Sequence, residues 1–213
     1  MNEMSVDKRE HIINTAIKLF ASKGFEGTSI RDLAAAADVN VAMVNYYFGS
    51  KEKLFQSMVE HNVGYTRDAF DEVANNSSLS EIEKIDKIID IYVNRIFGNR
   101  EFHKVMHHEM QLNQRPELTK AISNVIGKNY QIIKNIVETG IRKKEFRKVD
   151  VPLTIATMTG TFNSLALSKK IGMLLMSKEG EELPYDDEKF RKRVGDHIKQ
   201  MMRAHLLRSN DAG

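Results

Sequence analysis

Apolar residues recur along this chain at three- and four-residue spacing, the period of helices with one buried face. Residues 7–23 place Ile12, Ile13, Ala16, Ile17, Leu19 and Phe20 in that register, and Lys23-Gly24 gives a cationic last turn with a glycine stop. Thr28 and Ser29 then offer N-cap hydroxyls to a short helix whose apolar face is Ile30, Leu33, Ala34 and Ala37. Asp38 or Asn40 starts a second short helix carrying Val41, Val44, Tyr47 and Phe48. From about Ser50, the pattern Leu54, Phe55, Met58, Val59, Tyr65, Phe70, Val73 predicts a longer helix that dies in Asn75-Asn76-Ser77-Ser78. Ser80 and Glu83 stand at capping-box spacing ahead of Ile85, Ile88, Ile89, Tyr92, Val93, Ile96 and Phe97, and Gly98-Asn99 breaks that run. Further helices are expected over 102–112 and from near Pro116 to Lys144. Beyond Pro152 the chain is apolar on nearly every face, from Leu153 through Phe162 to Leu174, so a helix there needs cover on several sides. A polar loop over 177–187 and a last helix with Phe190, Val194, Ile198, Met201, Met202 and Leu206 complete the pattern. Strand-like alternation is missing, so the expected fold class is all-α.

Two apolar helices as short as those after residue 28 are marginal alone, because isolated helices below about 12–15 residues melt in water. They must pack on neighbours while one face of the second stays free. That is the build of a helix-turn-helix DNA reader, in which one helix braces across the backbone and the next enters the major groove.

Composition narrows the alternatives. At 213 residues, 41% hydrophobic and 29% charged, the chain has the length and mixture of a globular protein with a sizeable core. It has no cysteine, which removes disulfides, thiolate metal sites and thiol nucleophiles and fits a reducing compartment. The start is polar and helical in pattern, without a secretory core, and the greasiest stretch, near 155–176, is interrupted by Asn163, Ser164, Lys169 and Lys170. A cytoplasmic protein with no membrane partner is expected. Net charge is only +3, and residues 1–60 hold seven bases against eight acids. Any DNA binding must then come from a few well-placed cations, backbone amides and helix N-termini, not from a broad basic field.

Residues 7–60 resemble the DNA-binding region of the TetR family of bacterial transcriptional repressors. The resemblance is carried by Ala16-Ile17-Lys18-Leu19-Phe20, Lys23-Gly24-Phe25, Thr28-Ser29-Ile30, Ala34, the turn at Asp38-Val39-Asn40, and Tyr47-Phe48-Gly49-Ser50-Lys51-Glu52-Lys53-Leu54. It implies an N-terminal three-helix helix-turn-helix domain over 1–50 and a C-terminal helical effector-binding and dimerisation domain over 51–213. It further implies double-stranded DNA and an unknown small-molecule effector as partners, no cofactor, and no enzymatic activity. The homodimer is expected to form through about 153–176 and 187–207, where apolar content exceeds what one copy covers and Gly160 and Ser164 allow close approach.

Site roles follow residue by residue. Thr28 and Ser29 open the bracing helix, where hydroxyls and amides take phosphate, and Arg31 lies within reach of a phosphate or a guanine edge. Asn40 caps the recognition helix, with Val41, Ala42 and Met43 in its leading turn. Asn45 suits adenine, Tyr46 follows it, Tyr47 has a ring for the core and a hydroxyl for the backbone, and Lys51 is placed for a phosphate. Val41, Ala42, Met43 and Asn45 depart from the residues frequent in the family, which points to readout through thymine methyls and shape. A DNA-binding factor or activator without an inducer carries the same pattern. His103 and His107, four apart on one helix face, are the tempting metal pair, but the order is not His-Glu-x-x-His and a third ligand is not evident, so no metal site is expected. The basic run 142–148 reads as a cationic helix C-terminus.

Overall fold

The computed structural model describes residues 3–176 and 183–208, and these form ten α-helices. They are α1 Glu3–Lys23, α2 Ile30–Ala36, α3 Val41–Phe48, α4 Lys51–Asn75, α5 Glu81–Gly98, α6 Arg100–Leu112, α7 Pro116–Arg142, α8 Val151–Leu167, α9 Lys169–Met176 and α10 Glu188–Leu206. An isolated antiparallel bridge joins Phe146 to Leu207, and no strand occurs among the described residues. The expected all-α class holds, with the helix-turn-helix at the N-terminal end and the helical bundle after it.

The chain divides into two compact units, Met1–Tyr65 with Glu101–Ile126, and Thr66–Arg100 with Gly127–Gly213. The first is built on Ile12, Ile13, Ala16 and Phe20 of α1, Leu33 and Ala34 of α2, Val44 and Phe48 of α3, Leu54, Phe55 and Met58 of α4, and Phe102, Val105 and Met106 of α6. Residues 101–126 thus share a core with the two short helices. A phenyl cluster lies at its centre, Phe25 standing 5.4 Å from Phe20 and 5.5 Å from Phe55 between ring centroids.

The second unit packs the apolar stripes of α5, α7, α8 and α10. Ile85, Ile88, Ile89, Val93 and Phe97 face Ile133, Ile136 and Val137, Met158 and Phe162, and Phe190, Val194, Ile198 and Met202. Tyr92 stacks on Phe162 at 5.4 Å. Ser80 and Glu83 make the expected capping box at the start of α5. The Glu145 carboxylate completes that helix end, accepting from the amides of Glu81 at 3.0 Å and Ile82 at 2.8 Å. Buried Glu81 is neutralised by Lys84 at 3.3 Å and Lys143 at 2.7 Å, so part of the basic run after α7 has an internal task.

The apolar segment after Pro152 is not one long helix. It breaks at Ser168 into α8 and α9. Ser168 leaves helical backbone at φ −108°, ψ 93°, and its hydroxyl accepts from Ile171 N at 3.3 Å, capping the second piece. Most of the expected polar loop, 177–182, lies outside the described residues. Leu183 and Tyr185 are buried, with the Tyr185 hydroxyl donating to Leu165 O at 2.9 Å, so that end of the segment belongs to the core.

Two glycines in α7 test this packing with opposite signs. A Cβ on buried Gly140 would collide with the Phe146 ring, 2.2 Å from its nearest atom, whereas one on exposed Gly127 would meet nothing within 4 Å. Gly140→Ala is expected to destabilise by about 1–3 kcal/mol through overpacking. Gly127→Ala should stabilise by about 0.5–1 kcal/mol through helix propensity. Urea unfolding at fixed protein concentration reads both.

Candidate nucleic-acid interface

The segment linking α1 to α2 turns sharply. Gly24 takes φ +73°, a left-handed value that glycine adopts without strain, and its amide donates to Phe20 O at 2.9 Å. Thr28 is buried and its hydroxyl donates to Gly24 O at 2.7 Å. Ser29 is the N-cap of α2. Its hydroxyl accepts from Asp32 N at 3.1 Å, while Ser29 N donates to the Asp32 carboxylate at 2.9 Å. The Ser29 hydroxyl also donates to the Asp32 carboxylate at 2.5 Å, and that bond first, then the one from Ser29 N and the pairing with Lys23 at 3.3 Å, hold the Asp32 carboxyl down at about 2. The hydroxyls of Thr28 and Ser29 therefore both have intramolecular work, and the amides of Ile30 and Arg31 are what the open end of α2 presents.

Between α2 and α3, Asp38 sits at φ +52° and Val39 N donates to Ala34 O at 3.0 Å, a tight turn. From α1, His11 Nε2 donates to Ala37 O at 3.1 Å in the same turn. Of the two N-cap candidates, Asn40 is the one used, its side chain accepting from Met43 N at 2.7 Å. Along α3, Val44 and Phe48 are buried, Met43 and Tyr47 are half-buried, and Val41, Ala42, Asn45 and Tyr46 are exposed. The exposed set falls at positions i, i+1, i+4 and i+5, one continuous stripe of a helix. Tyr46 is 84% exposed, an unusual setting for an aromatic ring, and it rests edge-on against Tyr47 at 5.3 Å. Arg31 is also exposed. Gly49 at φ +76° ends α3 and redirects the chain into α4.

Lys51 has a different setting. Its ammonium donates to Phe25 O at 2.8 Å and Thr28 O at 3.0 Å and lies 4.3 Å from the centre of the Phe25 ring. It ties α4 to the turn that launches α2. Sequence reasoning passed over Asp32, although Ser29 and Asp32 stand at capping-box spacing, and read Lys23 only as the cation that ends α1. It also passed over Gly27, whose Cβ would collide with Lys23 O.

His103 and His107 lie on α6. Burial, with His107 adding to it, holds His103 down at about 3, and burial lowers His107 too. Both are neutral at neutral pH. No group of three or more His, Asp or Glu placed to share a metal ion occurs among the described residues.

The sequence matches known regulators in both parts. Residues 12–58 match the family model "Bacterial regulatory proteins, tetR family", and residues 78–167 match "Tetracyclin repressor-like, C-terminal domain". The HTH-type transcriptional repressor NicS of Pseudomonas putida is 31% identical over 171 residues, covering 73% of this chain and 76% of NicS. The chain belongs to the TetR family. As a TetR-family member it is a DNA-binding transcriptional regulator and not an enzyme. Another relative in the family, the biofilm operon icaADBC negative transcriptional regulator IcaR of Staphylococcus aureus (strain Newman), is 25% identical over 182 residues, 80% of this chain and 90% of IcaR. The TetR-family regulator PfmR from Thermus thermophilus shares the fold at TM-score 0.70 and 21% identity, over 92% of this chain and 99% of PfmR. No described helix is long and apolar enough to cross a membrane.

The capping box at α2 gives a pH test. A carboxyl held below its usual 3.8 stabilises the fold above that value, and the contribution fades as pH falls through about 2. Ser29→Ala should return the Asp32 titration toward 3.8, followed by NMR of the carboxyl carbon. It should also lower the melting midpoint at neutral pH by about 2–4 °C.

Proposed function

We propose that this regulator is a homodimeric repressor that binds a palindromic operator through α3 and leaves it when a small-molecule effector binds. The observation that carries the DNA interface is the exposed stripe Val41, Ala42, Asn45 and Tyr46 on a helix whose other side is core. Val41 and Ala42 meet thymine methyls, and Asn45 pairs with an adenine edge. Asn40, the half-buried Met43 and Tyr47 border that contact, with Tyr46 reaching its rim. The Arg31 side chain and the open amides of Ile30 and Arg31, which Thr28 and Ser29 hold in place, take phosphates. Lys51 serves the same surface by holding the α2 turn, with its charge close behind it.

Repression is favoured because NicS and IcaR are both named as repressor or negative regulator. Dimerisation is supported by apolar groups left open on the second unit. Leu153 is 65% exposed, Leu174 84% and Leu175 69%. A groove of about 690 Å³ runs between α8 and α10, bordered by Gly160, Ser164, Leu175 and Val194. Patches of this kind on a folded chain are usually covered by a partner, and a second copy packed there gives the two-fold symmetry a palindrome needs. Release requires the effector to bind the DNA-competent and incompetent states with unequal affinity, by about 1–3 kcal/mol of coupling. The site of action is the chromosome, hence the cytoplasm.

Selection of bound duplexes from a random pool should return an inverted repeat with half-sites about one helical turn apart. A pool without enrichment would refute the reading. On the selected duplex, Arg31→Ala should weaken binding and lower the slope of log affinity against log salt by about 1. Asn45→Ala should relax preference at one position per half-site, costing about 1–3 kcal/mol there. A monomer at micromolar concentration in equilibrium sedimentation would overturn the dimer.

A further inference from the structure

Arg115 stands in the short link between α6 and α7, far in sequence from the DNA-facing helices but in the same compact unit. Its backbone is fixed on both sides. Asn113, at φ +47°, ends α6 by donating its amide to Glu109 O at 3.2 Å, while the Arg115 carbonyl accepts from Thr119 N at 2.9 Å at the start of α7. The guanidinium uses its fork on two carboxylates. One arm donates to buried Glu109 of α6 at 2.7 Å, and the other pairs with exposed Glu26 in the α1–α2 turn. Its plane also covers the Phe25 ring, 4.1 Å from the centroid. Lys51 contacts the same ring and holds the Phe25 and Thr28 carbonyls.

We propose that Arg115 is a positioning residue for operator binding: anchored on Glu109, it clamps Phe25 and Glu26 and thereby fixes where the phosphate-facing end of α2 begins. The proposal rests on the DNA-binding reading above. The turn needs an external hold because it contains Gly24 and Gly27 and has little conformational preference of its own. Arginine suits the task, since only its planar fork can bridge two carboxylates and stack on a ring together. The inner face of α3 has its own anchors, Val44 and Phe48, on a different helix of the same core. Loss of the clamp therefore displaces phosphate contacts and spares base contacts.

The test uses full-length protein and the duplex selected by the wild type. Arg115→Gln with Glu109→Gln removes both charges, so no buried carboxylate is stranded, and Glu26→Gln removes only the exposed partner. The double variant is expected to bind about tenfold more weakly, with a salt slope lower by about 1 and an unchanged order of preference among single-base operator variants. Glu26→Gln should shift in the same direction by less, at an unchanged melting temperature. Amide exchange over residues 25–33 should accelerate in the double variant. A general loss of folding would lower affinity without this split between salt slope and base preference. Wild-type affinity and slope in the double variant would overturn the clamp while leaving DNA binding intact. Failure of the wild type to enrich any duplex would overturn both.

Discussion

Burial of one side of two very short helices is the constraint on which the molecule depends. α2 has seven residues and α3 eight, lengths that do not hold a helix in water. Leu33, Ala34, Val44 and Phe48 supply the missing stability by joining a core with Ile12, Phe20 and Phe55. That core takes up the inward positions of α3 and leaves Val41, Ala42, Asn45 and Tyr46 outside. The same packing that makes the helix exist decides which residues it can offer to a partner.

Cations in the first unit act as internal ties before they act as a field. Lys23 pairs with Asp32, Arg9 lies 5.4 Å from the Phe48 ring, and Lys51 and Arg115 converge on Phe25. With acids slightly in excess over 1–60, the long-range attraction for a polyanion is weak. Affinity then depends on where a small number of donors point. That makes the geometry of the α1–α2 turn matter more than its charge.

Much of the fold was legible because local signals agreed with one another. Ser80 with Glu83, Asn40 ahead of Val41, and the Lys23-Gly24 stop each specify a helix end through hydrogen bonds a few residues apart, and all three are present. The break at Ser168 was not legible: Ser168-Lys169-Lys170 interrupts the apolar run, but three polar residues also fit the outer side of one continuous helical turn and specify no stop. Nor was the burial of Leu183 and Tyr185, whose neighbours lie on other elements, the Tyr185 hydroxyl reaching back to Leu165 O of α8. In the first unit the exposed stripe of α3 could be read from its period. The inward commitment of Thr28 and Lys51 could not, since it is decided by the Gly24, Phe25 and Thr28 carbonyls in a turn whose shape no pattern specifies. Arg115 was invisible for the same reason, its partners Glu26 and Phe25 lying far earlier in the chain.

These features bear on how such a surface would discriminate sequences. An exposed leading turn of Val41 and Ala42 has methyl groups to offer, and only Asn45 presents a side chain suited to bidentate pairing with a base. One such pair supplies about 1–3 kcal/mol of discrimination, well short of the roughly 4–10 kcal/mol that usually separates specific from non-specific DNA binding. The balance must come from shape, methyl contacts and the register in which phosphates are gripped, and register has value only if the gripping groups are rigid. A turn held by Lys51 from one side and Arg115 from another provides that rigidity. On the proposed reading, an α3 poor in exposed hydrogen-bonding groups and a heavily braced α1–α2 turn are therefore two parts of one solution.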